Sequence, residues 1–131
     1  MALVHHDLCF GCGQTNLFGL LLEVERVDAD RVAGRCFIKQ DHQGPDPRAA
    51  HQGVIAAGLC EAMALACGPK ARAVSVTVEL TADDAPVGAF LDVEAATGDR
   101  EGGTISATAT ASSEGRPVAA AHGRFALEQP V

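Results

Sequence analysis

The sequence has no tryptophan, no tyrosine and no cluster of lysine or arginine. Nucleic-acid-binding proteins commonly stack bases on aromatic rings and hold phosphates with grouped basic side chains. The formal net charge of -7 further disfavours polyanionic partners, including anionic membrane surfaces and, to a lesser degree, the phosphates of coenzyme A. We therefore expect neither nucleic acid nor a membrane as partner.

Long hydrophobic runs are also missing, because every apolar stretch is shorter than the roughly 18 to 20 residues that span a bilayer. Residues 1–10 have no lysine or arginine and no hydrophobic segment of the kind found in secretory signals. The five cysteines are an odd number spread among apolar residues, which is not the pattern of a disulfide framework. We expect reduced thiols and a cytoplasmic protein.

The amount and pattern of apolar residues predict one globular domain over residues 1–131. With 47% hydrophobic and 21% charged residues, the chain has an ordinary soluble composition and enough length for one core. Residues 53–67 are apolar almost throughout, lack proline and precede Gly68 and Pro69, which predicts one long helix.

Elsewhere the apolar residues alternate with polar ones, as in β-strands. In residues 73–80, Val74, Val76 and Val78 alternate with polar residues, which predicts a strand with one buried face. Weaker alternation predicts strands in residues 19–27, 31–39, 89–97, 104–112 and 118–127. The expected order is two strands, the helix and a four-stranded meander. A helix that is apolar on nearly all sides must be covered all round, partly by a second subunit, so we expect at least a dimer.

Glu61 is the only charged residue in the predicted helix, and no basic residue lies three or four positions from it. Burying an unpaired carboxylate costs several kcal/mol, so Glu61 reaches water, finds a partner elsewhere or has a raised pKa. In a pocket it could act as general base or nucleophile. The alternative is an exposed helix face. The unpaired backbone N–H groups of Gln52, Gly53 and Val54 could polarise a carbonyl.

Three segments resemble the hotdog-fold thioesterases of the PaaI and 4-hydroxybenzoyl-CoA thioesterase type. They are HQGVIAAGLCEAM at 51–63, CFGCGQTNLFGLLLEV at 9–24, and APVGAFLDVEA at 85–95 followed by GRPVAAAHGRFAL at 115–127. The resemblance implies an α+β hotdog fold, in which a curved antiparallel β-sheet wraps a long central helix. It further implies a single hotdog domain over 1–131 with an N-terminal leader at 1–18, a homodimer or homotetramer, and hydrolysis of acyl-CoA or acyl-carrier thioesters between subunits.

The same resemblance places the thioester carbonyl at the amides of Gln52 or Gly53, with His51 just before them. Laid on the family motif without gaps, the usual acidic position falls on Cys60, one residue before Glu61. Consecutive helical residues point about 100° apart. Three readings stay open: Glu61 acts from a slightly rotated helix, Cys60 faces the cleft as a thiol, or the hydrolytic site is lost and the pocket only binds.

The sequence thus predicts a thioester hydrolase with two groups of site residues. The catalytic candidates are Glu61, Gln52, Gly53 and His51, and the substrate-binding candidates are Cys60, Val54 and Asn16. One alternative is a non-catalytic hotdog protein that binds an acyl or small aliphatic ligand, which is suggested by Cys60 and by the acidic pair Asp83 and Asp84. A purely structural or regulatory oligomer is the other.

Three further features carry histidine or cysteine. Cys9 and Cys12, preceded by His5 and His6, have ligand types and a spacing that zinc accepts, but no second Cys or His pair follows at finger spacing. We therefore expect a tight glycine turn that Asn16 caps or braces, with no metal and no cofactor. His42 and His122 are candidate acid–base groups, expected in a loop near the helix entry and on a half-exposed strand.

Overall fold

A computed structural model describes residues 1–127, which form one long helix and six strands. The elements in chain order are β1 (Glu23–Arg26), β2 (Arg31–Phe37), a short 3-10 helix (Gln40–His42), α1 (Gln52–Cys67), β3 (Arg72–Leu80), β4 (Phe90–Glu101), β5 (Thr104–Ser113) and β6 (Arg116–Ala126). Two strands, the helix and four strands is the predicted order, and the predicted α+β class is confirmed.

Helix α1 begins and ends close to where the sequence predicts. It starts after His51, whose side chain accepts a hydrogen bond from the N–H of Gly53. It stops at Cys67 because Gly68 takes a φ of 140°, a conformation that strongly favours glycine, and its N–H bonds the carbonyl of Ala64 at 3.1 Å. Local signals are therefore sufficient to define this helix.

The sheet is antiparallel throughout, with the strand order β1-β2-β4-β5-β6-β3. Strands β4, β5 and β6 form a meander, but β3 pairs with β6, for example Val76 opposite Gly123, and does not neighbour β4. The predicted four-stranded meander is wrong at this point. The chain crosses from one edge of the sheet to its interior between β3 and β4, and alternation along a strand carries no information about such a pairing.

The core lies between α1 and one face of the sheet, where α1 packs mainly against β4 and β5. Leu59, Met63, Leu91 and Phe125 are completely buried there and belong to one continuous apolar cluster. Burying side chains of this size contributes about 1.5 to 3 kcal/mol each, which makes this contact the main stabilisation of the fold.

Strand β3 departs from the predicted burial. Val74 is 62% exposed and Leu80 41% exposed, while Val76 and Val78 are only half-buried. The prediction of a buried face is wrong for the single chain, because β3 is the last strand of the sheet and has α1 over little of its length. An apolar edge strand of nine residues is therefore left uncovered.

Residues 1–22, which extend the predicted leader at 1–18 by four residues and which we call the leader segment, form turns laid against the rest of the chain. Backbone N–H groups of Leu20 and Leu22 donate to the carbonyls of Phe10 and Gly11, and the N–H of Leu3 donates to Val24 in β1. The leader thereby brings Cys12 into the core, where it is completely buried. Within residues 1–127, no helix is both long and apolar enough to cross a membrane.

Candidate functional site

The start of α1 presents one free backbone donor rather than three. The N–H of Gly53 donates to Nδ1 of His51 at 2.8 Å, and the N–H of Val54 donates to the carbonyl of His51 at 2.9 Å. Among residues 1–127, none accepts a hydrogen bond from the N–H of Gln52. The sequence predicts that the N–H of Gly53 can bind a substrate carbonyl, but this N–H is already bonded to the His51 ring that caps the helix. The N–H of Gln52 remains as the donor at the positive end of the helix dipole.

Glycine at position 53 leaves room for this cap. A Cβ there would lie 2.9 Å from Nδ1 of His51, so the exposed His51 ring would have to shift. His51 and Gln52 are both exposed, so the helix start is accessible to a ligand.

His42 lies beside this helix start, and its imidazole ring is buried without a polar partner in the part of the chain that the structure describes. Its carbonyl accepts from the N–H of His51 at 2.7 Å, and its side chain is 5% exposed. Neither ring nitrogen has a hydrogen-bond partner among the described residues. Burial first, and then the positive charge of Lys39, lower the pKa of His42 below its ordinary value, so the ring is neutral at pH 7.

Glu61 finds its partner in the leader segment, which is one of the three outcomes that the sequence left open. Its Oε2 lies 2.9 Å from Nδ1 of His5, and Sγ of Cys9 donates to the same oxygen at 3.4 Å. The Glu61 and His5 side chains are 14% and 19% exposed, so bulk solvent screens the contact only in part. Sequence reasoning did not connect these groups, because His5 precedes Glu61 by 56 positions.

Gly11 lets the leader pack directly against this carboxylate. A Cβ at position 11 would lie 2.7 Å from Oε1 of Glu61 and closer still to its Cδ. The expected tight turn at Cys9–Cys12 is present, with the N–H of Gly13 donating to the carbonyl of Cys9 at 2.8 Å. The turn therefore positions cysteine side chains and leaves room for Glu61 at the same time.

Cys12 completes a cluster of four side chains with His5, Cys9 and Glu61. Its Sγ is 3.3 Å from Nδ1 of His5, and Sγ of Cys9 is 3.6 Å from the same nitrogen. One potential ligand atom from each of the four residues lies within 4.8 Å of all the others. Burial, followed by the hydrogen bond with Glu61, raises the pKa of the Cys12 thiol far above its ordinary value.

The other predicted site residues occupy separate surroundings. Cys60 is half-buried, and burial followed by the charge of Glu61 raises the pKa of its thiol, so it is not an activated nucleophile. Val54 is half-buried against the core. Asn16 braces the leader: its Nδ2 donates to Leu8 and its Oδ1 accepts from the N–H of Phe18, both at 3.1 Å.

Within one chain, the helix start and Glu61 are not neighbours. Glu61 lies nine positions after Gln52, which corresponds to about 13.5 Å along the helix axis. A carbonyl bound at the Gln52 amide therefore cannot touch Glu61 of the same chain. His122 is exposed on β6, in register with Thr77 and Thr108, and is remote in the fold from the leader cluster.

No known family model and no curated protein sequence matches the chain. Solved structures do match. The PaaI protein from the phenylacetic acid degradation operon of E. coli aligns with a TM-score of 0.71 and 17% identity, covering 82% of this chain and 83% of that one. Zebra fish thioesterase superfamily member 2 aligns with a TM-score of 0.73 and 15% identity over 87% and 86% of the two chains.

A third structure, AziG of S. sahachiroi, has a TM-score of 0.69 and 23% identity, covering 82% of this chain and 90% of that one. Identities this low show the shared fold and leave the chemistry to the residues of the site. The long helix α1 against a six-stranded antiparallel sheet is the arrangement that these proteins have in common. The chain therefore has the α+β hotdog fold that these solved structures share.

Proposed function

We propose that the chain hydrolyses acyl thioesters, of coenzyme A or of an acyl carrier, in a pocket between two subunits. The observation that carries the proposal is the free N–H of Gln52 at the exposed start of α1, on a fold that a protein named as a thioesterase superfamily member also has. A backbone donor at a helix start can stabilise the oxyanion that forms when water or a carboxylate attacks a thioester.

The pocket needs a second subunit to bring the two features of α1 together. If two α1 helices lie side by side and antiparallel, Gln52 of one subunit approaches Glu61 of the partner subunit, and the separation along one helix no longer matters. The exposed edge strand β3, with Val74 and Leu80 on its surface, supports assembly as a homodimer or homotetramer.

In this proposal Glu61 acts as general base toward water or as nucleophile toward the acyl carbon. Its contact with His5 fixes the carboxylate on the surface of α1 that remains half-buried in the single chain. The exposed pair Asp83 and Asp84 adds negative charge to a chain of net charge -7, which disfavours tight binding of the coenzyme phosphates.

A second candidate is a hotdog protein that binds an acyl or small aliphatic ligand without hydrolysing it. The observation that favours it is that the Glu61 carboxylate is already hydrogen-bonded to His5 and Cys9. Cys60, at the position that is acidic in the related motif, offers a thiol whose raised pKa keeps it protonated. With this second function, the chain would have a ligand pocket but no base available to activate water.

The deciding experiment removes the Gln52 donor while keeping the helix. Proline is well tolerated at the first helical position and has no N–H, and His51 already has the extended backbone (φ -58°, ψ 137°) that a following proline requires. Gln52→Pro should lower kcat/KM about 100-fold or more across a panel of acyl-CoA and acyl-carrier thioesters. Gln52→Ala, which keeps the N–H, is the matched control.

Equal activity of these two variants contradicts the role of the amide. Loss of turnover in Glu61→Gln with retention in Cys60→Ser assigns the base or nucleophile to Glu61. If the wild-type chain turns over no member of the panel but binds the intact thioester by calorimetry, the binding protein is the correct function and the hydrolase is not.

A further inference from the structure

We propose that His5, Cys9, Cys12 and Glu61 bind a zinc ion that fastens the leader segment to α1. The four residues bring one nitrogen, two sulfurs and one oxygen to a single point between the leader and the helix, with these atoms all within 4.8 Å of one another. These are the atom types that zinc takes in proteins, and four protein ligands make a closed site of the structural kind.

The distances accommodate a tetrahedral ion after small shifts of the ligand atoms. Zinc bonds of about 2.3 Å to sulfur and 2.0 Å to nitrogen or oxygen place neighbouring ligand atoms about 3.3 to 3.8 Å apart. In the structure, Nδ1 of His5 is 3.6 Å from Sγ of Cys9 and 3.3 Å from Sγ of Cys12. Sγ of Cys9 is 3.4 Å from Oε2 of Glu61, and Nδ1 of His5 is 2.9 Å from the same oxygen, a separation that a bound ion would lengthen.

The surroundings are shaped for these ligands. The backbone N–H of His5 donates to Sγ of Cys12 at 3.1 Å, a bond that stabilises a thiolate bound to a metal. Gly11, between the two cysteines, has no side chain to displace the Glu61 carboxylate. The Glu61 and His5 side chains are 14% and 19% exposed and Cys9 is half-buried, so an ion can enter, whereas Cys12 is fully buried at the base.

Two thiolates exclude the hard cations, because magnesium and calcium prefer oxygen ligands, and they select a thiophilic divalent ion. On binding, each cysteine exchanges its S–H bond for a bond to zinc and releases a proton to solvent, without any change of oxidation state. Two thiolates and one carboxylate more than neutralise the charge of the ion, and His5 joins as the neutral imidazole.

The ion would serve the fold rather than catalysis, because no coordination position is left for water or substrate. The leader contains turns and no helix or strand, with Leu8, Phe10 and Phe18 exposed on its surface. A zinc ion bound to three leader residues and one helix residue would add a cross-link to the hydrogen bonds that hold this segment. The metal proposal does not require the proposed hydrolysis.

The two proposals share Glu61, which leads to one consequence that rests on the proposed function. A carboxylate bound to zinc is not available as base or nucleophile, so zinc loading should lower thioester turnover and a chelator should restore it. Metal content is measured without any substrate, so failure of the metal site and failure of the hydrolase give different results.

The test begins with the full chain, stripped with a chelator, incubated with excess zinc chloride and dialysed. We expect about one zinc per chain by elemental mass spectrometry and no retained magnesium after the same treatment with magnesium chloride. Cys9→Ser should lose at least nine tenths of the bound zinc. Cys67→Ser, which changes another half-buried free cysteine outside the cluster, should keep it.

Two measurements on the wild-type chain cover the case in which Cys9→Ser does not fold. Cobalt(II) in place of zinc should give the visible bands of tetrahedral thiolate coordination. Zinc should also protect Cys9 from alkylation relative to Cys67, and a chelator should remove that protection. Any one of three results overturns the proposal. They are much less than one zinc per chain in the wild type, equal zinc in Cys9→Ser and wild type, and equal alkylation of Cys9 with and without zinc.

Discussion

Replacing Gly11 by alanine tests the contact between the leader and α1 without removing any polar group. The new Cβ would lie 2.7 Å from Oε1 of Glu61, so the carboxylate must move. Moving the carboxylate displaces Oε2, which lies 2.9 Å from Nδ1 of His5 and 3.4 Å from Sγ of Cys9. The substitution should therefore weaken or break both contacts.

The expected loss follows from the kind of bond that is broken. A hydrogen bond to a charged group contributes about 1.5 to 3 kcal/mol, and the Glu61 and His5 side chains are only 14% and 19% exposed. Alanine also stiffens the unfolded chain, which stabilises by about 0.4 to 1 kcal/mol. Gly103→Ala is the matched control, because a Cβ at position 103 meets nothing within 4 Å. We expect Gly11→Ala to be less stable than Gly103→Ala by about 1 to 3 kcal/mol.

Urea denaturation in the presence of a chelator measures this difference for the contact alone, independently of any bound metal. A difference of 1 kcal/mol should appear as a shift of about 3 to 5 °C in thermal unfolding for a chain of this size. If both alanine variants unfold at the same urea concentration, the Glu61 carboxylate is not held by the leader in solution, and the basis of the metal proposal is removed as well.

Further predictions concern pH dependence and assembly. The pKa of His42 is lowered in the folded chain. Below pH 6.5 the unfolded chain therefore binds a proton at His42 that the folded chain does not bind. The free energy of unfolding should fall there by no more than about 1.4 kcal/mol per pH unit. Urea titrations at pH 7.5 and 5.5 should show that His42→Leu loses less stability at the lower pH than the wild type does. The control His122→Asn, at an exposed position, should lose as much stability as the wild type. An equal loss in His42→Leu and wild type contradicts the buried neutral ring. If the chain forms the proposed oligomer, Val74→Lys on the exposed edge of β3 should dissociate it in sedimentation velocity, whereas Val27→Lys, at a site 57% exposed next to β1, should not. An intact oligomer in Val74→Lys rules out β3 as the interface.

Much of the fold follows from local signals. The apolar run before Gly68 and Pro69 predicts α1 to within one residue, and alternation finds all six strands. Strand order does not follow, because β3 pairs with β6 through hydrogen bonds between segments that are distant in sequence. The exposed face of β3 was mispredicted for the same reason: a pattern shows which residues are apolar, and the position of the strand in the sheet decides what covers them.

The residues of the candidate site can also be predicted only in part from the sequence. Glu61 stands out in the sequence as an unpaired charge in an apolar helix, and Cys9 and Cys12 stand out by their spacing. The sequence predicts no metal, because metal sites are recognised by short spacings between ligands, and Glu61, the fourth residue of the proposed zinc cluster, lies 52 positions beyond Cys9. The cap of Gly53 by His51 is local, but histidine is not a residue that usually signals a helix start.

The sequence by itself determined the class of the fold, the helix and the strands, because burial periodicity and turn chemistry act between residues close along the chain. Only the tertiary structure decided that Gln52 holds the free amide and that β3 is an exposed edge. It also decided that the leader meets Glu61 with His5 and two thiols. These facts depend on which distant segments come together when the core closes, and that is set by the packing of the whole sheet on α1.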